Sequence, residues 1–120
     1  MQDWVRNIGW LAPEDLPTLY AMATAMLMPS LYEACPLPII EAMAAGCPIV
    51  TANRYGTAEL AGDAALLVDP ESVDSIAEGV GRMLDDAKLR MELVVRGHRR
   101  SAPMTWDSTA RNTLQVLEAL

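Results

Sequence analysis

Three short apolar runs, Ala25–Met28, Ile49–Thr51 and Ala65–Val68, constrain the fold more than any other feature of the chain. Each is too short for a helix, and turn residues follow: Pro29-Ser30 after the first, Asn53-Arg54 after the second, Asp69-Pro70 after the third. Continuous apolar runs bounded in this way are the pattern of strands buried on both faces of a parallel sheet. Helical patterns lie between them. Pro13-Glu14-Asp15 opens a helix to about Ala23, with proline and acids in its first turn. Pro38 opens another, which carries Ile39, Ile40, Met43 and Ala44 on one face and ends at Gly46, with Cys47-Pro48 beyond as a stop. After the loop Asn53-Arg54-Tyr55-Gly56, Thr57 to Leu60 reads as one or two helical turns. A fourth strand is expected at Trp4–Ile8, closed by Gly9.

Beyond the third run the pattern is helical throughout. Val73, Ile76, Ala77, Val80 and Leu84 share one stripe, Trp106, Ala110, Thr113, Leu114 and Leu117 share another, and Leu89–Arg100 reads as a helix between them. Alternating buried strands and helices imply an α/β fold, here a partial Rossmann-like, doubly wound parallel sheet of three to four strands with a helical C-terminal segment. A complete domain of that class has two βαβαβ halves and binds ligand outside the carboxyl ends of its strands. The chain reads as the second half alone. With 120 residues and 52% apolar content, it is expected to form a single domain over 1–120.

Charge and composition exclude several functions. The net charge is −7 with one lysine, Lys88, so a nucleic acid or an anionic membrane surface would be repelled over most of the molecule. No apolar run approaches the roughly 20 residues of a membrane span. The N-terminal MQDWVRN lacks the basic and apolar regions of a secretion signal, and a cytoplasmic location is expected. Cys35 and Cys47 have no histidine near them in the chain, and reduced thiols are expected. The eight methionines read as core filler.

The candidate site lies between the first and second runs. The first delivers Ser30–Leu37 to the carboxyl edge of the sheet, and the helix from Pro38 points its N-terminus there, offering free N–H groups and its positive dipole end to an anion such as a diphosphate. Glu41 lies one turn into that helix, roughly 130° from the centre of its apolar stripe at about 100° per residue, so it can face the crevice and accept both hydroxyls of a ribose. Glu33 stands in the turn. Spacing alone leaves open that Glu41 only complements the helix dipole and that Glu33 is a solvated loop acid.

The stretch PSLYEACPLPIIEAMAAGCPIVTANRYGTAELAGDAALLVDP, residues 29 to 70, resembles the donor-binding core of the family 4 (group 1) glycosyltransferases, retaining enzymes of the GT-B fold. Glu33 and Glu41 are separated by the seven residues of that family's glutamate pair, Glu41-Ala42-Met43 and Gly46-Cys47-Pro48 match its helix and stop, and Gly56 with Glu59 matches the next element. Val5–Pro29 is similar to the preceding strand, helix and strand, and Thr105-Trp106 resembles the opening of the last helix. The resemblance implies a nucleotide-sugar donor such as a UDP-, GDP- or ADP-sugar and transfer to an acceptor hydroxyl with retention. It implies no metal or other cofactor. It places Glu41 on the ribose, Glu33 near the reacting carbon of the donor sugar, and Ser30 with the backbone amides of Ala34, Cys35 and Leu37 around the sugar and diphosphate. The basic residues that neutralise the diphosphate belong to the family's first half-domain, and the acceptor is not implied.

Departures sharpen the reading. Ala34-Cys35-Pro36 replaces the family's Gly-Phe-Gly, and Pro36 removes one N–H donor. Cys35 as a nucleophile and His98 as an acid or base are poor candidates. Arg54 reads as a solvated loop residue, and Arg96, His98, Arg99 and Arg100 as a basic helix end complementing the dipole. The alternative function is a non-catalytic nucleotide-sugar-binding or partner-dependent module. An incomplete sheet with an open edge would then pair with a second copy or with an N-terminal half supplied by a longer protein.

Overall fold

The computed structural model describes residues 4–120, in which the three apolar runs become β1 (Met26–Met28), β2 (Ile49–Ala52) and β3 (Leu66–Val68), parallel and in the order β1-β2-β3. Val50 stands opposite Leu27 on one side and Leu66 on the other. All four residues of β2 are buried, whereas β1 and β3, also expected to be buried on both faces, are only partly covered, with Leu27 and Leu67 exposed at the sheet's outer strands. The one hydroxyl among them, Thr51 Oγ1, donates to the Met28 carbonyl at 2.8 Å, so the centre of the sheet carries no orphaned polar group.

The described residues form six α-helices, most with a local cause at their start. A 3-10 turn at Pro13–Asp15 leads into α1 (Leu16–Met22), and Pro38 lies in the first turn of α2 (Leu37–Ala44), whose end is marked by Gly46 at φ 75°. The helix α3 (Tyr55–Ala61) runs into a second 3-10 turn, Gly62–Ala64. Side-chain caps open the others: Ser72 accepts from the Ser75 N–H before α4 (Val73–Asp85), Asp86 from Leu89 before α5 (Ala87–Ser101), and Thr105 from Ser108 before α6 (Trp106–Glu118).

Two cores result, one on each face of the sheet. Ile39, Ala42 and Met43 of α2 pack with Ile49, Ala61 and Ala64 on one face, and Val50, Val68, Met83 and Leu93 pack on the other. Alternation along β2 sends Ile49 and Val50 to opposite cores. The helix α5 joins them: Leu93 belongs to the second core, while Gly97 sits against Met43 of the first. Its neighbours Thr24, Gly46 and Pro48 precede β1 and β2, and Asp63, which meets Arg96 and Arg99, precedes β3. The helix α5 therefore lies across the amino ends of the strands and leaves the carboxyl ends free.

Several expectations are corrected. Trp4–Ile8 forms no strand: residues 5–12 have no regular structure, and Trp4, Val5 and Ile8 are exposed. A strand needs a ladder partner for its N–H and C=O groups, and among the described residues β1 pairs with β2 alone. The stripe on α4 is rotated, with Gly79 and Met83 buried while Val73 is 81% exposed. A Cβ on Gly79 would stand 2.5 Å from Val68 Cγ1, so the helix approaches the sheet most closely where it has no side chain. The apolar stripe of α6 covers nothing in the described chain, and Trp106 is 80% exposed. The basic end of α5 acts through tertiary contacts: Arg100 donates to the Leu60 and Glu59 carbonyls at 2.5 Å each, and Arg99 pairs with Asp63 at 3.3 Å. Met43 and Met83 fill the cores, but Met22 and Met91 face solvent.

Glycines 79 and 81 give opposite predictions within one helix. Gly81 has no heavy atom within 4 Å of a would-be Cβ, so Gly81→Ala is expected to stabilise by about 0.5–1 kcal/mol through helix propensity. Gly79→Ala is expected to destabilise by about 1–3 kcal/mol through overpacking against Val68. Urea unfolding of the two variants beside the parent measures both, and equal signs would contradict the packing described.

Candidate functional site

The carboxyl ends of the strands bring three connections to one edge of the sheet: residues 29–36 after β1, residues 53–54 after β2 and residues 69–72 after β3. They are tied to each other. The Gly56 N–H donates to the Glu33 carbonyl at 3.0 Å, joining the first to the start of α3, which follows the second directly. The Arg54 guanidinium spans from the second to the third, reaching Asp69 at 3.0 Å and Glu71 at 2.6 Å. Arg54 is thus committed to two carboxylates rather than solvated, and it leaves no free cation in the second connection.

Within the first connection the groups divide into free and engaged. Glu33 is half-buried, and among the described residues its carboxylate has no ion pair or hydrogen bond; the same holds for the Ser30 hydroxyl. Ala34 and Cys35 are exposed, and their N–H groups donate to no backbone acceptor there. The Leu37 N–H, in contrast, donates to the Cys35 carbonyl at 3.0 Å across Pro36, whose φ of −75° and ψ of 86° make an inverse γ-turn. Pro38 has no N–H, and Ile39 donates to the Pro36 carbonyl at 3.0 Å. The start of α2 therefore does not present the fan of free N–H donors expected of a helix N-terminus. The open donors lie one step earlier, on Ala34 and Cys35.

Glu41 faces outward from α2 and borders a cleft of about 390 Å³ between α1 and α2, lined by Pro13, Leu16, Pro17, Tyr20, Ala44 and Ala45. The Tyr20 hydroxyl donates to Glu41 Oε2 at 3.4 Å, a long contact that leaves the carboxylate accepting capacity. Burial, and next the Glu41 carboxylate, push the Tyr20 phenol above its ordinary range. Tyr20 and this cleft were not read from the sequence: 21 residues separate Tyr20 from Glu41. The only signal was the spacing of Pro13, Leu16, Pro17 and Tyr20, which share one helical face.

Other candidates separate in space. The Cys35 thiol is exposed at the carboxyl edge, whereas His98 Nε2 lies 3.1 Å from the position of a Gly46 Cβ, past the far end of α2. The two cannot form a nucleophile–base pair. Cys47 is buried beside β2, and burial pushes its thiol up. No group of three or more His, Cys, Asp or Glu among the described residues is placed to hold a metal ion. No helix among them is long and apolar enough to cross a membrane.

Comparison with known proteins adds independent findings. Residues 1–100 match the family described as Glycosyl transferases group 1. The chain is 36% identical over 99% of its length to O-antigen chain mannosyltransferase B of Escherichia coli, covering 31% of that protein. It is 37% identical over 98% of its length to MMP alpha-(1->4)-mannosyltransferase of Mycolicibacterium hassiacum, covering 30%. The structure of sucrose-phosphate synthase from Thermosynechococcus elongatus superposes with a TM-score of 0.88 and 29% identity, over 98% of this chain and 30% of that one. The chain spans about three-tenths of the length of these relatives.

The raised Tyr20 and Cys47 values predict the alkaline limb of stability. Between the ordinary value, about 8.5 for a thiol and about 10 for a phenol, and the raised folded value, the folded state holds protons that the unfolded state has lost. Stability is therefore full below those ordinary values and falls as pH rises through the folded ones. Unfolding midpoints from pH 7 to 11 should decline, Cys47→Ala flattening the earlier part and Tyr20→Phe the later. An unchanged slope in Tyr20→Phe would refute the Tyr20 contribution.

Proposed function

Because the chain belongs to the group 1 glycosyl transferases, we propose that it forms donor-binding machinery for sugar transfer from a nucleotide-sugar to an acceptor hydroxyl with retained anomeric configuration. The arrangement of the two glutamates supports this reading most. Glu41 borders an apolar cleft, and among the described residues Glu33 stands unpaired in the adjoining connection beside two free N–H groups. Glu41 accepts the ribose hydroxyls, and the nucleobase lies along Pro13, Leu16 and Pro17, where a flat apolar ring gains from losing water. The diphosphate and sugar extend towards Ala34 and Cys35, and Glu33 meets the sugar near its reacting carbon. Ser30 lines the same crevice. Leu37 joins the donors only by exchanging its γ-turn bond for one to the ligand.

Charge stabilisation of the leaving diphosphate needs donors aimed at the developing negative charge. Arg54 is neutralised by Asp69 and Glu71, so these donors are the N–H groups of Ala34 and Cys35 together with cations from outside this connection. Two of the relatives are named mannosyltransferases, which favours a hexosyl donor. A second reading, a partner-dependent module, draws on the outer edges of β1 and β3, which are unpaired among the described residues.

Glu41→Ala is expected to weaken binding of the cognate nucleotide among UDP, GDP and ADP by about ten- to a hundredfold, the loss of a hydrogen-bonded charge worth about 1.5–3 kcal/mol. Calorimetric titration of parent and variant reads this directly. Unchanged affinity for all three would remove Glu41 from the ribose. A concentration-dependent dimer that binds none of them would favour the second reading.

A further inference from the structure

The first turn of α3 has no role in the donor-binding reading above, yet it holds the connection on which that reading depends. A Cβ on Gly56 would stand 2.3 Å from the Ala34 carbonyl oxygen and 2.6 Å from that of Glu33. Both are backbone atoms, so no side-chain rotation relieves the clash, and only glycine lets the start of α3 approach the first connection this closely. The Gly56 N–H uses the approach to donate to the Glu33 carbonyl.

The preceding residue shows strain in the same place. Tyr55 has φ 48°, and it is the only non-glycine residue with positive φ among those described. Its ring packs on Tyr32 with centroids 5.1 Å apart and planes inclined by 57°. Both rings remain largely exposed, Tyr32 by 70% and Tyr55 by 62%, so burial alone does not explain why the strained conformation is kept. A non-glycine residue persists there only where its surroundings over-determine it. Here the surroundings are a rigid frame. Thr57 Oγ1 bonds to the Ala52 carbonyl at 3.0 Å and to the Arg54 carbonyl, while Arg54 itself is pinned to Asp69 and Glu71.

We propose that Gly56 and Tyr55 are positioning residues, and that this turn is the template that sets Glu33 and the N–H groups of Ala34 and Cys35 against the sugar and diphosphate of the donor. Gly56 fixes the height of the Glu33–Ala34 backbone, and the Tyr55–Tyr32 contact fixes its lateral place. The inference rests on the donor-site reading and deepens it, because it divides the site into two separately supported halves. Glu41 and its cleft depend on α1 and α2. The sugar and diphosphate half depends on the first turn of α3.

That division supplies the test. Affinities of the chain for UMP, UDP and UDP-glucose, and for the guanosine and adenosine counterparts, are measured for the parent and for Gly56→Ala, Tyr55→Ala, Tyr55→Phe and Glu41→Ala. Circular dichroism checks that each is folded. Gly56→Ala is expected to reduce by at least tenfold the affinity gained on going from the monophosphate to the diphosphate-sugar, with monophosphate affinity within twofold of the parent. Tyr55→Ala should lose part of the gain, and Tyr55→Phe, which keeps the ring contact, should retain it. If Gly56→Ala fails to fold, the two Tyr55 variants decide the matter. An undiminished gain in the folded alanine variants, or an equal fall in monophosphate affinity, overturns the proposal while the donor-site reading stands. A parent that binds no nucleotide, or a Glu41→Ala chain that keeps full monophosphate affinity, overturns the donor-site reading and this proposal with it.

Discussion

The strand β2 is paired on both edges and covered on both faces, and none of its four residues reaches solvent. Such a strand has to be apolar on successive positions, because alternate residues enter opposite cores. Ile49 and Val50 meet that demand, and Thr51 is tolerated because its hydroxyl finds the Met28 carbonyl. The glycines follow from the same geometry. Gly79 allows α4 close to Val68 on one face, and Gly97 allows α5 close to Met43 on the other. Parallel pairing around β2 also aligns all three strands, so every connection that follows a strand arrives at one edge.

That shared direction gives the two edges of the sheet different constructions. The amino edge is closed by α5, whose Arg99 and Arg100 meet Asp63 and the last carbonyls of α3. These bonds satisfy carbonyls that the end of a helix would otherwise leave to solvent. The carboxyl edge is built oppositely, from connections tied to one another while Glu33 and the Ala34 and Cys35 N–H groups stay unengaged. Groups left open in this way stand on a scaffold whose own connections are tied to each other.

The prolines at 36 and 38 reshape this edge. Both remove N–H donors, and the intervening Leu37 closes a γ-turn onto Cys35. Pro36 is buried, so the turn is anchored rather than free to rearrange in solvent. The usual helix N-terminus is thereby exchanged for a tighter set of donors just ahead of it. The dipole of α2 still favours negative charge nearby, but directed hydrogen bonds have to come from the preceding loop.

Much of this was legible in the chain itself. Run length and breakers located three strands and their parallel arrangement, but only β2 is buried on both faces as the apolar runs suggested; Leu27 of β1 and Leu67 of β3 are exposed, because an apolar run does not say whether a helix covers both faces of an edge strand. Prolines and glycines located the ends of the helices they flank to within about two residues, since those signals are local. The pair Glu33 and Glu41 stood out through spacing and through the family pattern around it. The expected strand at Trp4–Ile8 failed because a strand is made by its neighbour, and sequence does not say where the neighbour is. The stripe on α4 was misplaced for a related reason: periodicity counts apolar side chains, whereas close approach selected Gly79, which has none. Composition and periodicity by themselves determined the class of fold and the shared direction of its strands. Only the tertiary structure decided that Tyr20 meets Glu41, that Arg54 is consumed by Asp69 and Glu71, and that Gly56 supports Glu33, because each joins residues whose separation along the chain carries no trace of their distance in space.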